Sequence, residues 1–191
     1  SIRSEELLRA KLAQLSPELQ KQVFELHDHV AARHGAAKTL VGIVNTNSFK
    51  GGFEGDFATN LFLTTSRFNC SCRANASAAW REQEGRQAVT ATRAIAEGEE
   101  VCVNYLGTNH ARTEVRRAYL ERKYGYACMC EACVQSTPES DRNRDLIGRL
   151  EGSIDQEASG NAPVHPAEFM ATVEKLLKLY EAEGILTPTT A

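Results

Sequence analysis

No apolar run in this chain of 191 residues is long enough to span a bilayer, so a transmembrane helix is not expected. The opening Ser1-Ile2-Arg3-Ser4-Glu5-Glu6 reads as a polar helix start and lacks the basic-then-apolar order of a secretory leader. An excess of one charge is lacking as well: 22 basic side chains face 25 acidic ones, and no long run of either sign occurs. That balance gives direct nucleic-acid binding no electrostatic footprint. Six cysteines are too few to staple a miniprotein of this length with disulfides, and no internal repeat is present. We therefore expect an intracellular protein, of the nucleus or cytoplasm, with one core or a core plus a small module.

Hydrophobic spacing supplies the outline. Ser4 followed by Glu5 and Glu6 predicts an N-cap and first turn, with Leu7, Leu8, Leu12 and Leu15 at helical spacing. Ser16-Pro17-Glu18 opens a second helix that Leu19, Val23, Leu26 and Val30 carry to Gly35, and His27, His29 and His34 fall on it as solvated surface histidines. The apolar stretch Leu40 to Val44 leads into Thr46-Asn47-Ser48-Phe49 and a Gly51-Gly52 loop, and its periodicity does not separate helix from strand. Ser77 to Trp80, Ala88 to Thr92 and Val101 to Tyr105 read as strands. Arg112 to Tyr124 reads as a helix with Val115, Tyr119 and Leu120 on one face, and Ser136 to Asp141 as a linker. Two helices are then expected, Arg142 to Leu150 and Pro166 to Glu183, separated by a polar loop from Gly152 to Pro163. The second carries Phe169, Val173, Leu176, Leu177 and Tyr180 inward and stops at Gly184, before a frayed tail at 187–191.

Chemistry concentrates in Cys128-Met129-Cys130-Glu131-Ala132-Cys133. Three thiolates so close together can wrap one tetrahedral ion if a fourth ligand arrives from elsewhere, and Cys70 and Cys72 are the candidates. Three blocks then appear in order. Ser66-Arg67-Phe68-Asn69-Cys70-Ser71-Cys72-Arg73-Ala74-Asn75-Ala76 is followed by Ala91 through Val101-Cys102-Val103-Asn104-Tyr105, and then by Tyr124-Gly125-Tyr126-Ala127-Cys128-Met129-Cys130-Glu131-Ala132-Cys133. They resemble, respectively, the SET-domain signature, the block ending in the SET active-site tyrosine, and the post-SET zinc segment. The style is that of the fungal SET and SET-and-MYND groups, and the likeness runs from about Lys38 to Val134.

The resemblance implies an α+β fold: small SET-like sheets, a knotted C-terminal segment and a post-SET zinc site, flanked by helices, with the N-terminal SET strands absent. It divides the chain into a helical flanking region or insert at 1–37, a SET core at 38–110, a helix and zinc segment at 111–135, and a helical extension at 136–191. It implies S-adenosylmethionine-dependent methylation of a lysine on a protein substrate, histone or non-histone. Tyr105 is then the catalytic residue. Asn47, Phe49, Ser66, Asn69, Cys70, Tyr105, Tyr124 and Tyr126 serve the cofactor, and Cys72, Cys128, Cys130 and Cys133 hold structural zinc. Cys70 and Ala74 stand where the signature has histidine and proline, and no glycine-rich segment precedes Asn47. These departures leave two further expectations: a missing N-terminal SET segment supplied as a partner, and a catalytically silent zinc-binding scaffold or partner-binding module as the alternative to an enzyme.

Overall fold

The structure, a computed structural model, describes residues 2–50, 59–108, 110–160 and 165–185. They form two compact units, one of residues 1–68, 78–89 and 121–126, the other of 69–77, 90–120 and 127–191. The Gly51-Gly52 loop, the end of the polar loop at 161–163 and the tail at 187–191 lie outside the described residues.

The first unit is built on four helices: α1 (Ile2–Leu12), α2 (Pro17–Glu25), α3 (His29–His34) and α4 (Leu40–Asn47). Val23, Leu26, Leu40 and Ile43 form its core, with Leu8, Leu12, Leu61 and Leu63 packed against them. Leu7 and Leu15 of the first predicted face are exposed. Ser4 is not a cap, because α1 starts two residues earlier. The acidic first-turn residue Glu5 reaches instead to the N-terminus of α4, where it accepts from Leu40 N at 3.2 Å and Val41 N at 3.0 Å.

The single helix expected from Pro17 to Gly35 is two, and Asp28 explains the break. Its carboxylate is 2% exposed and accepts from Val30 N and Ala31 N as the cap of α3. The other oxygen accepts from Thr39 N at 3.0 Å, and Thr39 in turn caps α4 by accepting from Gly42 N at 2.9 Å. Lys38 closes the gap from the other side, donating to the carbonyls of Phe24 and Leu26 at the end of α2. His27 consequently sits in the break, and His29 opens α3, with its ring Nδ1 3.2 Å from Thr46 Oγ1. The approach of α3 to α4 is so close that a Cβ at Gly42 would stand 2.1 Å from the Asp28 carboxylate.

Among the described residues three two-stranded sheets follow. β1 (Phe49–Lys50) pairs antiparallel with β2 (Thr59–Asn60). β3 (Asn69–Cys70) pairs parallel with β6 (Cys102–Val103). β4 (Ala76–Arg81) and β5 (Arg86–Ala91) pair across a turn at Gly85, whose φ of 61° suits a residue without a Cβ. The three predicted strands are thus present, the last reduced to two residues.

α5 (Thr113–Tyr124), of which 113–120 belong to the second unit, leads to the short α6 (Glu131–Val134) of that unit and then to α7 (Pro138–Ala158) and α8 (Pro166–Glu183). The face of α5 differs in part from expectation: Leu120 is fully buried as expected, but Val115 is exposed and Arg116 is fully buried instead. The expected linker at Ser136 to Asp141 is already helix, because Thr137 caps α7 by accepting from Ser140 N and Pro138 occupies its first turn. α7 also runs through most of the expected polar loop, to Ala158. α8 has the predicted bounds and its glycine stop at Gly184, but Leu177 faces outward. Ile147, Leu176, Tyr180 and Ile185 form the core of this helix pair.

Asp28→Ala is expected to cost about 3 kcal/mol, since it removes the cap of α3 and the acceptor for Thr39 N at the start of α4, leaving N–H groups without acceptors. The loss should appear as a lower urea midpoint. Burial pushes the Asp28 carboxyl up, but bonds from Thr39, Ala31 and Val30 outweigh it and hold it below the usual range. With the folded pKa below the unfolded one, this stabilisation is complete above about pH 4 and is lost as pH falls through the folded value. The difference between parent and variant should shrink accordingly in acid.

Candidate functional site

Four sulfurs converge in the second unit. Cys72 follows β3, Cys128 and Cys130 lie between α5 and α6, and Cys133 is in α6; their Sγ atoms all lie within 4.8 Å of one another. Cys72 Sγ is 4.0 Å from that of Cys128 and 3.7 Å from that of Cys133. An ion with metal–sulfur bonds of about 2.3 Å in tetrahedral geometry sets its ligands roughly 3.8 Å apart, so the spacing suits a thiophilic cation. The local fold makes this geometry. The N–H groups of Cys133 and Val134 both donate to Cys130 O, turning the chain back on itself, and Cys72 N donates toward Cys130 Sγ at 3.4 Å. Of the two sequence candidates for the fourth ligand, Cys72 joins the group, whereas Cys70 is held apart as the acceptor for Tyr105 N at 3.4 Å.

Thiols packed so tightly cannot all ionise unaided. Cys130 and Cys133 push the Cys72 thiol up, burial pushes Cys128 up to about 12, and the hydrogen bonds focused on Cys130 pull its thiol well down. A cation removes the conflict by stabilising all four thiolates together.

Two buried arginines flank the sulfurs. Arg116, at 0% exposure, donates to Ala111 O, Thr113 Oγ1 and Ala132 O and approaches Cys133 Sγ at 3.9 Å. Burial works against its charge, but Cys72 and Cys133 hold its pKa above the ordinary value. Arg144, at 1%, donates to Glu183 at 3.0 Å and to Cys72 O at 3.4 Å. Glu183 also accepts from Ser140 Oγ and Asn143 Nδ2. None of these polar residues was singled out from sequence. Long polar side chains on amphipathic helices are ordinarily solvated, and the only signal for Arg116 was its position four residues before Leu120.

The predicted tyrosine lies close to the signature in this unit. The parallel pairing sets Asn69 opposite Cys102 and Cys70 opposite Val103. Tyr105 follows two residues later and is half-buried. Asn69 is exposed, and its amide donates to Glu100 at 2.6 Å. Asn75, last of the signature, organises the strand: it is 3% exposed, donates to Glu99 Oε1 and Glu100 O, and accepts from Cys102 N at 2.8 Å. Arg93 above all, with Ala96 N and Asn75, holds the Glu99 carboxyl down to about 2.

The first unit contains the other predicted residues. Asn47 is buried, donating to His27 O and Ile43 O, and Ser66 Oγ donates to Asn47 O at 2.9 Å. Phe49 meets Phe62 at a centroid distance of 6.4 Å, and Phe62 stacks on Trp80. Tyr124 lines a cavity of about 350 Å³ with His27, His29, Ala32, Arg33, Glu121 and Gly125. Tyr126 is half-buried.

The SET domain family model matches residues 4–106, more than half of the chain. The chain therefore belongs to the SET domain family. It is 31% identical over 93 residues to histone-lysine N-methyltransferase set5 of Schizosaccharomyces pombe, a match covering 44% of this chain and 29% of that protein. With the protein-lysine N-trimethyltransferase SMYD5 of Danio rerio the identity is 32% over 97 residues, covering 46% and 22%. The SMYD5 of Gallus gallus is 27% identical over 103 residues, covering 51% and 24%. The matches span less than a third of the length of these relatives. Among the described residues, no helix is long and apolar enough to cross a membrane.

Cys128→Ser is expected to abolish stoichiometric retention of a thiophilic ion, measured by atomic emission on protein purified without chelator. Cys102→Ser, outside the group of four, should leave the metal content unchanged.

Proposed function

We propose that this chain is part of an S-adenosylmethionine-dependent protein-lysine N-methyltransferase of SET type, with structural zinc on Cys72, Cys128, Cys130 and Cys133. The observation that carries the reading is the family match over 4–106, which ends one residue after Tyr105. It is supported by relatives named as histone-lysine and protein-lysine methyltransferases. The post-SET character of 124–134 and the knotted passage of the C-terminal segment belong to the same reading, as does an intracellular setting where protein lysines, on histones or elsewhere, are accessible.

The donor set suits S-adenosylmethionine. Asn69 is exposed, with one amide hydrogen taken by Glu100, so its oxygen and second hydrogen suit the charged amino-acid end of the cofactor. The backbone of Cys70 is fixed beside it by pairing with β6. Asn47 and Ser66 have their side-chain hydrogens committed to protein carbonyls, so their part in cofactor binding is through acceptor oxygens and a fixed backbone. Phe49, Tyr124 and Tyr126 supply aromatic surface for the adenine and for a cation.

When bound, the cofactor supplies an electrophilic methyl on a sulfonium, which a neutral lysine amine accepts by in-line displacement. The aromatic residues lower the pKa of the incoming ammonium by desolvating it, which favours the neutral amine. Tyr105 orients that amine with its hydroxyl. Asn75 acts through Tyr105, since its amide pins the segment from Glu100 to Cys102 that leads to the tyrosine. Zinc takes no part at the reacting atoms and holds 124–134 in place.

A second reading, a catalytically silent scaffold, draws on Cys70 and Ala74 at the histidine and proline positions of the signature. Radiolabelled methyl transfer from S-adenosylmethionine to histones and other lysine-bearing proteins, assayed with the full-length protein, separates the two. Tyr105→Phe should lower transfer at least about 100-fold while changing cofactor affinity by less than about threefold. Asn69→Ala should abolish calorimetrically detected cofactor binding. Cofactor binding without transfer to any of these substrates favours the scaffold, and absence of both rejects the enzyme.

A further inference from the structure

Resting on the reading of the four cysteines as a zinc site, we propose that Arg116 is the counter-ion of that site, and that its positive charge, rather than its packing, is what the metal centre requires.

The argument starts from an imbalance. A buried guanidinium is costly unless a negative group faces it, and buried arginines normally have a carboxylate partner. Among the described residues Arg116 has none within ion-pair distance. Its protein partners are two carbonyls, a hydroxyl and the sulfur of Cys133. Its Nε is buried and finds no hydrogen-bond partner among the described residues, so hydrogen bonding alone does not account for the burial. The remaining source of negative charge is the cysteine cluster.

Four thiolates around a divalent cation leave two formal negative charges in excess, in a pocket where Cys72, Cys128 and Cys133 are all buried. Neutral thiols would leave Arg116 without a counter-charge. The second buried arginine does not supply the same compensation, because Arg144 is already neutralised by Glu183. Its role differs: through Cys72 O and Glu183 it ties one ligand's backbone to α7 and α8. Arg116 also straps α5 to α6 through Ala132 O, next to the ligand Cys133.

The test compares Arg116→Gln, which keeps hydrogen-bonding capacity without charge, with Arg116→Lys, which keeps the charge without the planar fork. Arg112→Gln, an exposed arginine paired with Asp145, is the control. Zinc affinity is read by competition with a chelating chromophore on the full chain, and folding is checked by circular dichroism. Arg116→Gln should weaken zinc retention about 10- to 100-fold, Arg116→Lys should stay within about threefold of the parent, and Arg112→Gln should match the parent. An Arg116→Gln variant that holds zinc as tightly as the parent overturns the proposal. So does an Arg116→Lys variant as weak as the glutamine one. If Arg116→Gln does not fold, the lysine variant decides: folding with near-parental zinc supports the counter-ion role, and failure to fold or loss of zinc overturns it. Absence of zinc from the parent overturns instead the reading on which this rests.

Discussion

The convergence of four cysteine sulfurs is the constraint around which the second unit is organised. Within 4.8 Å of one another, these sulfurs would repel if all were ionised, and a bound cation would relieve that repulsion. Their convergence draws together the turn after β3, the chain between α5 and α6, and α6 itself. A four-residue helix such as α6 has too few internal hydrogen bonds to persist alone. The cysteine at each end of the Cys130 to Cys133 turn ties it to Cys72, through Cys72 N to Cys130 Sγ at 3.4 Å and Cys133 Sγ to Cys72 Sγ at 3.7 Å.

The polar shell extends that order. Arg144 and Glu183 join the backbone of Cys72 to both long helices, and Arg73 donates to Glu183 O at 2.8 Å near the end of α8. Nearby, Asn75 spends its side-chain amide on the segment 99–102 that leads to Tyr105. Signature residues 72 to 75 therefore serve two neighbours at once: the sulfur at 72 joins the cysteine cluster, and the amide at 75 aligns the segment that leads to Tyr105. This gives a physical reason for an asparagine at the end of the signature, where a generic turn residue would otherwise suffice.

Much of this was legible locally. The crowded cysteines, the three strands and the bounds of α8 follow from spacing and turn chemistry that a short window contains. The misreadings share a cause in long-range demand. Asp28 looked like an interior helix residue because its second oxygen serves Thr39, eleven positions away. Glu5 is the first-turn acid of its own helix that the sequence suggests, and its carboxylate also accepts from the first N–H groups of α4, which no local pattern announces. The inward face of α5 includes Arg116, whose partners Ala132 O and Cys133 Sγ lie on another element. The early start of α7 is a different case: Thr137-Pro138-Glu139 repeats the cue of Ser16-Pro17-Glu18 and was readable, but the surrounding polarity obscured it. The fourth sulfur was the one distant element that could be selected in advance, and only through the family's ordered blocks.

Gly42 carries a consequence for sequence drift. In most helix interiors, replacing glycine with alanine gains about 1 kcal/mol, so neutral variation tends to remove such glycines. Here the Asp28 carboxylate occupies the volume where any side chain would begin. Every substitution therefore runs uphill, and the usual stabilising direction is reversed. Positions 28 and 42 should behave as one inherited unit, with the acid tolerated only opposite a residue that has no side chain.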